Sequence, residues 1–478
     1  MELPAGWMMA PLSDLVPPEG IFTDGDWVES KDQDPEGYVR LTQLADVGDG
    51  FFRDRSKRSM TSEKADELRC TFLQEGDILV ARMPDPLGRA CLYPGSKRPA
   101  VTVVDVCVIR TGQSGVNNRW LMWAINSPQV RQQIHSYQTG TTRKRISRKN
   151  LEKVELAVPP LAEQHRIVEA LEGHLSRLDA ASVNVKRCTT RTDHLWSATL
   201  NSVAEGVLPG RRVTSKTLYI SEVAEVSGGI QKQKKRIPIR NAFPFLRVAN
   251  VARGRLDLSN IHEIELFDGE LEKHRLEHGD LLVVEGNGSP DQIGRAASWN
   301  GAVKNAVHQN HLIRVRPGNL LLPRYLELIW NSPLVINQLR EVARSTSGLY
   351  TLSTSKVKAV KIPVPSLQDQ MALVESADTW ETCTSSARSS LQHASARSKS
   401  LHRAILSRAF TGHLVPQDPA DEPASVLLDC IRAERQAQGG KPKRARRPRK
   451  TVTADAPPPP PASSTLPSTT AVQQELPL

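Results

Sequence analysis

Hydrophobic and polar residues follow two different patterns that alternate along the chain. Residues 1–157 and 217–363 contain short apolar or alternating runs, such as DILVAR and DLLVVE, separated by clusters of Gly, Asn and Pro. Each region also carries one helical pattern, NRWLMWAINSPQVRQQIH in the first and PRYLELIWNSPLVINQLREVA in the second. We therefore predict two compact α+β domains of about 150 residues, each with one helix of this kind inside it.

A longer helical pattern follows each of these regions. From Val168 onward, apolar residues recur at heptad spacing with a more polar middle, which predicts a helix from Leu161 to about Ala204. Such a helix would be roughly 65 Å long at about 1.5 Å per residue. In the second copy the heptad is less regular, because Glu381 and Arg388 stand where the pattern requires apolar residues.

Two arrangements of these long helices are open. Each helix could cover only its own domain, or the two helices could pair with each other. A helix of about 40 residues is much longer than the roughly 13 Å radius of gyration of one such domain, so it cannot bury its whole apolar stripe there. The favoured prediction is an antiparallel coiled coil that acts as a spacer between the domains.

The two halves of the chain also match each other in sequence. Matching blocks occur in the same order in both halves: GDILVARM and GDLLVVEG, GRAC and GRAA, INSPQVRQQI and WNSPLVINQL, and VPPLAEQ and VPSLQDQ. From Ser147 and Ser353 to the ends of the long helical patterns, the offset between the copies stays at 206 residues. Ordered matches at a constant offset indicate a tandem duplication.

The junction between strand and long helix is one of the repeated blocks. Pro159 and Pro160 end the preceding strand, and proline is tolerated in the first helical turn because the N–H groups there have no helical partner. Glu163, and Asp369 in the second copy, then lie near the positive end of the helix dipole. We interpret the block as the point that fixes how each long helix leaves its domain.

These patterns divide the chain into five segments. They are a first globular domain at 1–157, a central helical segment at 158–216, a second globular domain at 217–363, a C-terminal helical segment at 364–437 and a tail at 438–478. The tail, with KPKRARRPRK followed by PPPPP, has the composition of a disordered segment. Its basic run either adds nonspecific DNA affinity or keeps the segment solvated.

Composition places the chain among ordinary globular proteins. It is 39% hydrophobic and 24% charged, and no apolar run approaches the roughly 20 residues that a membrane span needs. The N-terminus lacks the basic start and the apolar stretch of a signal peptide. The six cysteines are scattered without a CxxC pair, which argues against a zinc site or disulfides and favours the cytoplasm.

Positive charge is concentrated in local clusters. The net charge is +11, but seven of the 63 basic residues lie in KPKRARRPRK, so the rest of the chain is only mildly basic. FRDRSKR, TRKRISRK and QKQKKRIPIR each combine basic and loop-forming residues inside a globular domain. One such cluster is often only a solvated surface, whereas several clusters in both duplicated domains favour contact with DNA phosphates.

The candidate DNA-binding residues come from these clusters and from one further arginine. They are Arg53, Arg55, Lys57, Arg58, Arg143, Lys144, Arg145, Lys149, Lys232, Lys234, Lys235, Arg236 and Arg247. Gln231 is a candidate for reading base edges, as are Asn287 and Gln292 in another loop, because amide side chains can hydrogen-bond to bases.

No catalytic motif stands out in the sequence. There is no P-loop pattern, no GxGxxG after a strand, no Pro-Pro-aromatic motif of adenine methyltransferases and no acidic nuclease cluster. His308 and His311 in HQNH are interpreted as structural or solvent-facing, and the Ser353–Lys356 spacing as a chance match to SxxK. We therefore predict a binding protein that is not an enzyme and holds no cofactor or metal.

The duplicated domains and helical segments together resemble the specificity (S) subunits of type I restriction-modification enzymes. The resemblance extends to about residue 437. It is carried by RISRKNLEKVELAVPPLAEQHRIVEALEGHLSRLD, by TLSTSKVKAVKIPVPSLQDQMALVESAD and by the closing LSRAFTGHLVPQDPADEPASVLLDCIRAERQAQ. It implies two target-recognition domains, each reading one half of a split DNA site, and two helical regions that set the spacing between the halves.

The resemblance also implies partners and cofactors. An S subunit binds double-stranded DNA and two methyltransferase (M) subunits, and the complex recruits restriction (R) subunits that cleave DNA. S-adenosylmethionine would be held by the M subunits, and ATP and Mg by the R subunits, so this chain would catalyse nothing. The alternatives are an S subunit of a methylation-only system, a solitary DNA-binding regulator, and a single-chain enzyme that combines recognition with methylation.

Overall fold

The computed structural model describes residues 3–437 except 85, 113–114, 141–143, 288, 290–291 and 344–349. The predicted tail, 438–478, therefore lies outside the described residues. The chain divides into two compact units. One comprises Ala5–Ile125, Gln133–Leu161 and the segment that begins at Pro419, and the other comprises Met1–Pro4, Asn126–Gln132 and Ala162–Asp418.

The chain before the first long helix forms short strands and helices, which we call the first domain. Its strands are β1 Met8–Pro11, β2 Ile21–Asp24, β3 Val39–Thr42, β4 Ser59–Met60, β5 Ile78–Ala81, β6 Ala90–Leu92, β7 Ala100–Thr102, β8 Val106–Arg110 and β9 Glu155–Val158. Its helices are α1 Ser62–Glu67, α2 Asn118–Asn126, α3 Pro128–Ser136 and α4 Arg148–Leu151. Strands β2, β8, β5 and β6 form one sheet in that order, β4, β3 and β7 form another, and β1 pairs with β9.

The remaining elements include two long helices, and we call the part between them the second domain. The helices are α5 Leu161–Ala204, α6 Ile220–Val223, α7 Glu270–His274, α8 Pro323–Trp330, α9 Pro333–Val342, α10 Thr354–Lys358, α11 Leu367–Ala409 and α12 Ala424–Ala437. The strands are β10 Val207–Leu208, β11 Arg211–Arg212, β12 Lys216–Tyr219, β13 Ala224–Gly228, β14 Ala242–Leu246, β15 Val251–Ala252, β16 Arg255–Leu256, β17 His262–Glu265, β18 Leu281–Val284, β19 Gly286–Asn287, β20 Ala296–Ser298, β21 Val307–His308, β22 Leu312–Pro317, β23 Tyr350–Thr351 and β24 Lys361–Val364.

The sheets of the second domain repeat those of the first. Strands β13, β22, β18 and β20 form one sheet in that order, β17, β14 and β21 form another, and β12 pairs with β24. Strand β14 runs parallel to β21, as β3 runs parallel to β7. The duplication seen in the sequence therefore extends to strand order and strand direction, and the predicted α+β class is confirmed.

The repeated Gly–Asp pair provides a buried ion pair in each domain. Strands β5 and β18, which follow the pair, are buried along their whole length. Asp77 accepts hydrogen bonds from the guanidinium of Arg110 at 2.6 and 2.7 Å. Asp280 accepts them from Arg316 at 2.7 and 2.8 Å. Both carboxylates are only 1% exposed, so each needs its arginine partner.

The repeated Gly–Arg pair fixes a short helical turn beside each smaller sheet. Arg89 donates to two carbonyl oxygens next to the turn that follows β3, at 2.7 and 2.8 Å. Arg295 donates to the equivalent carbonyl oxygens after β14, at 2.7 and 3.2 Å. A Cβ atom at Gly88 or Gly294 would lie 2.7 or 2.5 Å from a side chain of α3 or α9. Glycine therefore allows the repeated blocks to pack against each other.

The prediction of a single helix inside each domain is wrong in one respect. The segment predicted as one helix forms two consecutive helices in each domain. Helices α2 and α3, and likewise α8 and α9, are separated at the Asn-Ser-Pro block. Pro128 and Pro333 are the first residues of the second helix in each pair. Proline has no N–H to donate to the preceding turn and is well suited to the first position of a new helix.

The first long helix agrees with the heptad prediction. Helix α5 begins at Leu161 and ends at Ala204. The heptad positions from Val168 to Val203 are buried or half-buried, and most residues between them are exposed. Periodicity alone therefore located this helix and its contact face, because the stripe is long enough to define a single register.

The two long helices pack against each other in antiparallel orientation. The hydroxyl groups of Ser182 and Ser398 lie 2.8 Å apart. Asp193 accepts a hydrogen bond from Arg388 at 3.0 Å. Asp193 follows Ser182 in α5, whereas its partner Arg388 precedes Ser398 in α11, so the two helices run in opposite directions. The predicted antiparallel coiled coil is confirmed.

The two charged residues that interrupt the second heptad have ionic partners. Arg388 pairs with Asp193 across the helix pair. Glu381 pairs with Arg324 of α8, which also binds Asp378 at 2.8 Å. Charged side chains are therefore accommodated at these heptad positions because each meets an opposite charge.

The middle of the helix pair is only half-buried. Every residue of α5 and α11 is described, and none within 176–191 or 385–405 is buried. Apart from Thr192 and Thr384, the buried residues of both helices lie towards their ends. Apolar burial is thus concentrated outside the middle of the helix pair.

At the second junction a buried glutamine fixes the start of the long helix. The side-chain amide of Gln370 donates to the carbonyl oxygens of Leu320 and Pro365 at 2.8 and 2.9 Å. Its side-chain oxygen accepts the N–H of Leu322 at 2.9 Å. Gln164, the matching residue of the first copy, is also fully buried. The repeated glutamine is therefore the structural residue of the block, in addition to the acid before it.

Helix α12 packs against the first domain. Arg435 donates to the carbonyl oxygen of Val16 at 2.7 Å and to the carboxylate of Asp14 at 3.1 Å. At the start of α12, the N–H of Ala424 donates to the carbonyl oxygen of Gly6 at 2.9 Å. The C-terminal helix and the N-terminal domain thus belong to one unit.

Candidate nucleic-acid interface

In the first domain a buried carboxylate holds the basic loop that follows β3. Asp46 is fully buried, and its Oδ1 accepts the backbone N–H groups of Arg55 and Ser56 at 2.5 and 2.7 Å. Its backbone carbonyl accepts the N–H of Arg53 at 2.7 Å. Asp46 therefore holds three backbone positions of this cationic loop from the interior of the domain.

The basic side chains of this loop differ in exposure. Arg55, Lys57 and Arg58 are exposed. Arg53 is half-buried, with its guanidinium 5.5 Å from the centre of the Phe51 ring. Exposed cations on a fixed backbone suit contact with phosphates, because little conformational entropy is lost on binding.

The second basic cluster of the first domain lies after α3, next to an isolated β-bridge. Thr139 and Arg145 form this bridge and exchange backbone hydrogen bonds at 2.8 and 2.9 Å. Arg82 donates to the carbonyl oxygen of Ile146 at 3.0 Å, which holds the chain next to Arg145. Lys144 and Arg145 are exposed, whereas Arg143 lies outside the described residues.

Lys149 belongs to the same cluster and is exposed in α4. This helix begins after Ser147, whose hydroxyl accepts the N–H of Asn150. In the second domain Ser353 caps α10 in the same way by accepting the N–H of Lys356. The SxxK spacing noted in the sequence is therefore part of a helix N-cap.

In the second domain a carboxylate again holds a basic loop, this time between β13 and β14. Glu265 accepts the backbone N–H groups of Ile239, Arg240 and Asn241 at 2.7, 3.1 and 3.0 Å. These hydrogen bonds, that of Ile239 first, hold the pKa of the Glu265 carboxyl below its usual value. The acid therefore stays ionised and keeps three successive residues of the loop in place.

A second acid fixes the middle of the same loop. Arg236 binds both carboxylate oxygens of Glu270, each at 2.7 Å, and lies 4.7 Å from the centre of the Phe267 ring. The hydrogen bond from Arg236 lowers the pKa of Glu270 to about 2. Although Arg236 was selected as a DNA-binding candidate, its guanidinium stabilises the loop itself.

The other candidates of this loop are exposed. They are Gln231, Lys232, Lys234 and Lys235. Arg247, outside the loop, is half-buried. Partial burial lowers the pKa of His262, and the positive charges of Arg247 and Lys232 lower it further. Gln292 is exposed in a separate loop.

The structure thus groups some candidates and separates others. The loop after β3 adjoins the smaller sheet of the first domain, whereas the cluster around Arg145 follows α3. In the second domain Lys232 belongs to the loop between β13 and β14, Arg247 lies outside that loop, and Arg236 is bound by Glu270. The exposed cations form several local groups on different elements.

The sequence did not identify the polar residues that hold these loops. Asn250 occupies the position of Asp46 in the second domain, and its amide donates to the carbonyl oxygens of Asp257 and Asn260 at 2.8 and 3.0 Å. Glu265 is the last residue of strand β17. The sequence signal that could have identified Asp46 and Asn250 is their matching position in the two copies, in the short turns after β3 and β14.

The two histidines of HQNH have different environments. His308 is fully buried in β21 and His311 is exposed, with its Nδ1 3.1 Å from a carboxylate oxygen of Glu285. Burial, followed by the charge of Arg314, lowers the pKa of His308 to about 3. Among the described residues, no group of three His, Cys, Asp or Glu side chains is arranged to hold a metal ion.

Parts of the chain match known proteins. Residues 4–183 match the family described as type I restriction modification DNA specificity domain. The chain is 28% identical over 332 residues to the type I restriction enzyme EcoKI specificity subunit of Escherichia coli (strain K12), which covers 65% of this chain and 70% of that protein. It is 26% identical over 380 residues to the type I restriction enzyme EcoBI specificity subunit of Escherichia coli. This match covers 72% of the present chain and 77% of that protein.

A solved structure has a similar fold. The protein comes from work on complex assembly and conformational transition of the type I R-M system, and it matches with a TM-score of 0.68 and 18% identity. The match covers 86% of this chain and 100% of that chain. Within the described part of the present chain, no helix has the length and apolar character needed to cross a membrane.

Proposed function

Because the chain belongs to the family of type I restriction-modification DNA specificity subunits, we propose that each duplicated domain reads one half of a bipartite DNA site. The observation that carries this proposal is the pair of cationic loops, one in each domain, each with its backbone held by a carboxylate. Cations contribute affinity through phosphate contacts, while a fixed backbone places neighbouring side chains reproducibly at base edges.

The proposed phosphate contacts are made by the exposed cations of these loops. They are Arg55, Lys57 and Arg58, then Lys144, Arg145 and Lys149, and finally Lys232, Lys234 and Lys235. Gln231 is exposed in the last loop and is proposed to reach a base. Arg53, Arg236 and Arg247 are half-buried and are proposed to support the loops from behind.

The long helices set the spacing between the two half-sites. The antiparallel contacts of α5 with α11 support this role, because a helix pair of fixed register has a fixed length. The glutamine that anchors the start of α11 also supports it, since it fixes the junction between the second domain and its helix.

The chain itself serves recognition and catalyses no reaction. Its partners are double-stranded DNA, two methyltransferase subunits that hold S-adenosylmethionine, and restriction subunits that use ATP and Mg. The names of its relatives support this division of labour, since they are specificity subunits of restriction enzymes. The chain holds no cofactor of its own under this proposal.

Exchange of one domain tests the proposal. Residues 217–363 are replaced by the corresponding domain of another specificity subunit, and modified bases are mapped across the genome. We expect one half of the site to change while the other half is retained. The matched control replaces residues 1–157, and this exchange should change only the other half. A change in both halves, or in neither, would show that the domains do not read independently.

The spacer is tested by the same mapping. Insertion of one heptad at Arg187, in the half-buried middle of α5, with a matching insertion in α11, should change the number of unread bases between the halves. The bases read in each half should stay the same. An unchanged spacing in a methylating complex would contradict the role of the helices.

A further inference from the structure

The loop between β13 and β14 exposes an isoleucine among basic residues. Ile239 is 82% exposed, and Ile237 is 64% exposed. No other large hydrophobic side chain in the described part of the chain is as exposed as Ile239. Single exposed apolar residues are common on protein surfaces, so exposure alone does not indicate a binding site. The structure of the loop around Ile239 provides the further evidence.

The backbone at Ile239 is held in place. Its N–H donates to Glu265 at 2.7 Å, and the next two residues donate to the same carboxylate. On the other side of Ile237, the Arg236 guanidinium is bound by Glu270. Pro238 separates the two isoleucines and restricts the backbone further. An apolar side chain on a restrained segment can make a contact with little loss of conformational entropy.

The charge around Ile239 identifies the kind of surface that it meets. The loop, 229–241, contains five basic residues and no acid. Glu270 neutralises Arg236, and Glu265 is bound to the loop backbone. The cations that stay exposed are Lys232, Lys234, Lys235 and Arg240. We therefore expect a surface that pairs with this loop to be anionic and to offer an apolar group as well. The major groove of DNA has both, because phosphates line its edges and the thymine C5-methyl group projects into it.

We propose that Ile239 contacts the C5-methyl group of a thymine in the half-site read by the second domain. Lys232, Lys234 and Lys235 would bind the flanking phosphates. This inference rests on the proposed function, since it names one base-reading contact of that site. It predicts a preference for one A·T pair with a defined strand orientation, because the methyl group belongs to thymine alone.

The test removes only the methyl group. The half-site is first defined by mapping modified bases, and each thymine in it is then replaced singly by deoxyuridine. Binding is measured with the full-length chain assembled with its methyltransferase subunits. At one thymine we expect the replacement to weaken binding about fourfold, the change that corresponds to one methyl group in an apolar contact. Ile239→Ala should weaken binding to the unmodified site by a similar factor.

The decisive comparison combines the two changes. Deoxyuridine at that thymine should not weaken binding further in Ile239→Ala, whereas two unrelated changes would multiply their effects. Ile239→Leu, which keeps an apolar side chain, should retain methyl dependence. Leu320→Ala is the matched control, because Leu320 is also exposed in the second domain but lies outside the basic loop. This control should leave methyl dependence unchanged.

Several outcomes would overturn the inference while leaving the proposed function intact. They are a half-site without an A·T pair, binding insensitive to every deoxyuridine, and full methyl dependence in Ile239→Ala. Weaker assembly of Ile239→Ala with the methyltransferase subunits, with methyl dependence retained, would assign the side chain to a protein interface. Absence of any sequence-specific binding by the unaltered complex would overturn both the inference and the proposed function.

Discussion

The two domains share one fold but place positive charge on different loops of it. In the first domain the basic loop follows β3, while the loop between β2 and β3, 25–38, contains five acids and one lysine. In the second domain the basic loop, 229–241, lies in the equivalent of that acidic position, between β13 and β14. The strand order thus determines where loops can occur, and the loop sequence alone determines which of them carries charge.

The contacts inside the two domains show a second difference. Buried ion pairs and the arginines of the Gly–Arg pairs have the same chemistry in both copies. The residue that holds the loop after the short turn has different chemistry in the two copies. One side-chain oxygen of Asp46 and that of Asn250 each accept the N–H of the residue three positions earlier. The other oxygen of Asp46 accepts two further N–H groups, whereas the amide nitrogen of Asn250 donates to two carbonyl oxygens. Contacts within the fold have been kept since the duplication, and those that shape the variable loops have changed.

The largest expected effect tests the shared contacts. Asp77→Ala should lower the stability of the first domain by about 3 kcal/mol, because it leaves the partly buried Arg110 without its carboxylate. Asp280→Ala should lower the stability of the second domain by a smaller amount, because Arg316 keeps an ion pair with the exposed Glu277 at 3.1 Å. Hydrogen exchange read by mass spectrometry gives the opening free energy of each domain separately. Asp66→Ala is the control, since Asp66 is exposed and should have little effect. No loss of stability in either domain would contradict the idea of a common internal frame.

An intermediate effect tests the difference between the loop-holding residues. Asn250→Asp should destabilise the loop after β14 by about 2 kcal/mol, because a buried acceptor would then face two carbonyl oxygens. Asp46→Asn should cost about 1 kcal/mol, since one side-chain oxygen can still accept N–H groups. Faster hydrogen exchange confined to each loop is the measurement. If either substitution were neutral, hydrogen-bond polarity would not determine these loop conformations.

An effect that is absent at neutral pH is a difference in acid sensitivity. His308 and Thr102 occupy matching places in the parallel strand pairs of the two domains. Burial lowers the pKa of His308 to about 3, so the folded chain keeps it neutral while the unfolded chain takes up a proton below about pH 6.5. The second domain should therefore lose stability as pH falls from about 6.5 towards 3.

The substitution His308→Thr should remove this contribution, which amounts to about 1.4 kcal/mol at one pH unit below the unfolded pKa. The opening free energy of each domain between pH 7 and pH 5 is the measurement. The first domain serves as the internal control, because its opening free energy should not respond to the substitution. An unchanged pH dependence of the second domain in His308→Thr would assign the acid sensitivity to other groups.

Periodicity and repetition were sufficient to predict most of the fold. The heptad stripe located α5, and the duplicated blocks revealed two copies of one α+β domain. The break between α2 and α3 was missed because apolar periodicity continues across Asn-Ser-Pro although proline starts a new helix. The attachment of α12 to the first domain joins Arg435 to Asp14, which are 421 positions apart, and no local pattern encodes such a contact.

The candidate interface was predictable to a smaller extent. Clusters of like charge revealed most exposed cations, because unbalanced charge is visible in the sequence. They also included Arg236, whose partner Glu270 lies 34 residues away and is visible only in the fold. Asp46 and Glu265 could not be found, because no sequence pattern distinguishes an acid that binds backbone N–H groups from one whose side chain is solvated. The DNA-binding roles of all these residues stay predictions.

The half-buried middle of the helix pair has an evolutionary consequence. Because no residue within 176–191 or 385–405 is buried, insertion or loss of whole helical turns there removes little apolar contact and costs little folding free energy. A gene could gain or lose the codons for one heptad in each helix and still encode a folded protein. Under the proposed function, two such insertions, one in each helix, would change the spacing between the half-sites, with every residue outside the helices inherited unchanged.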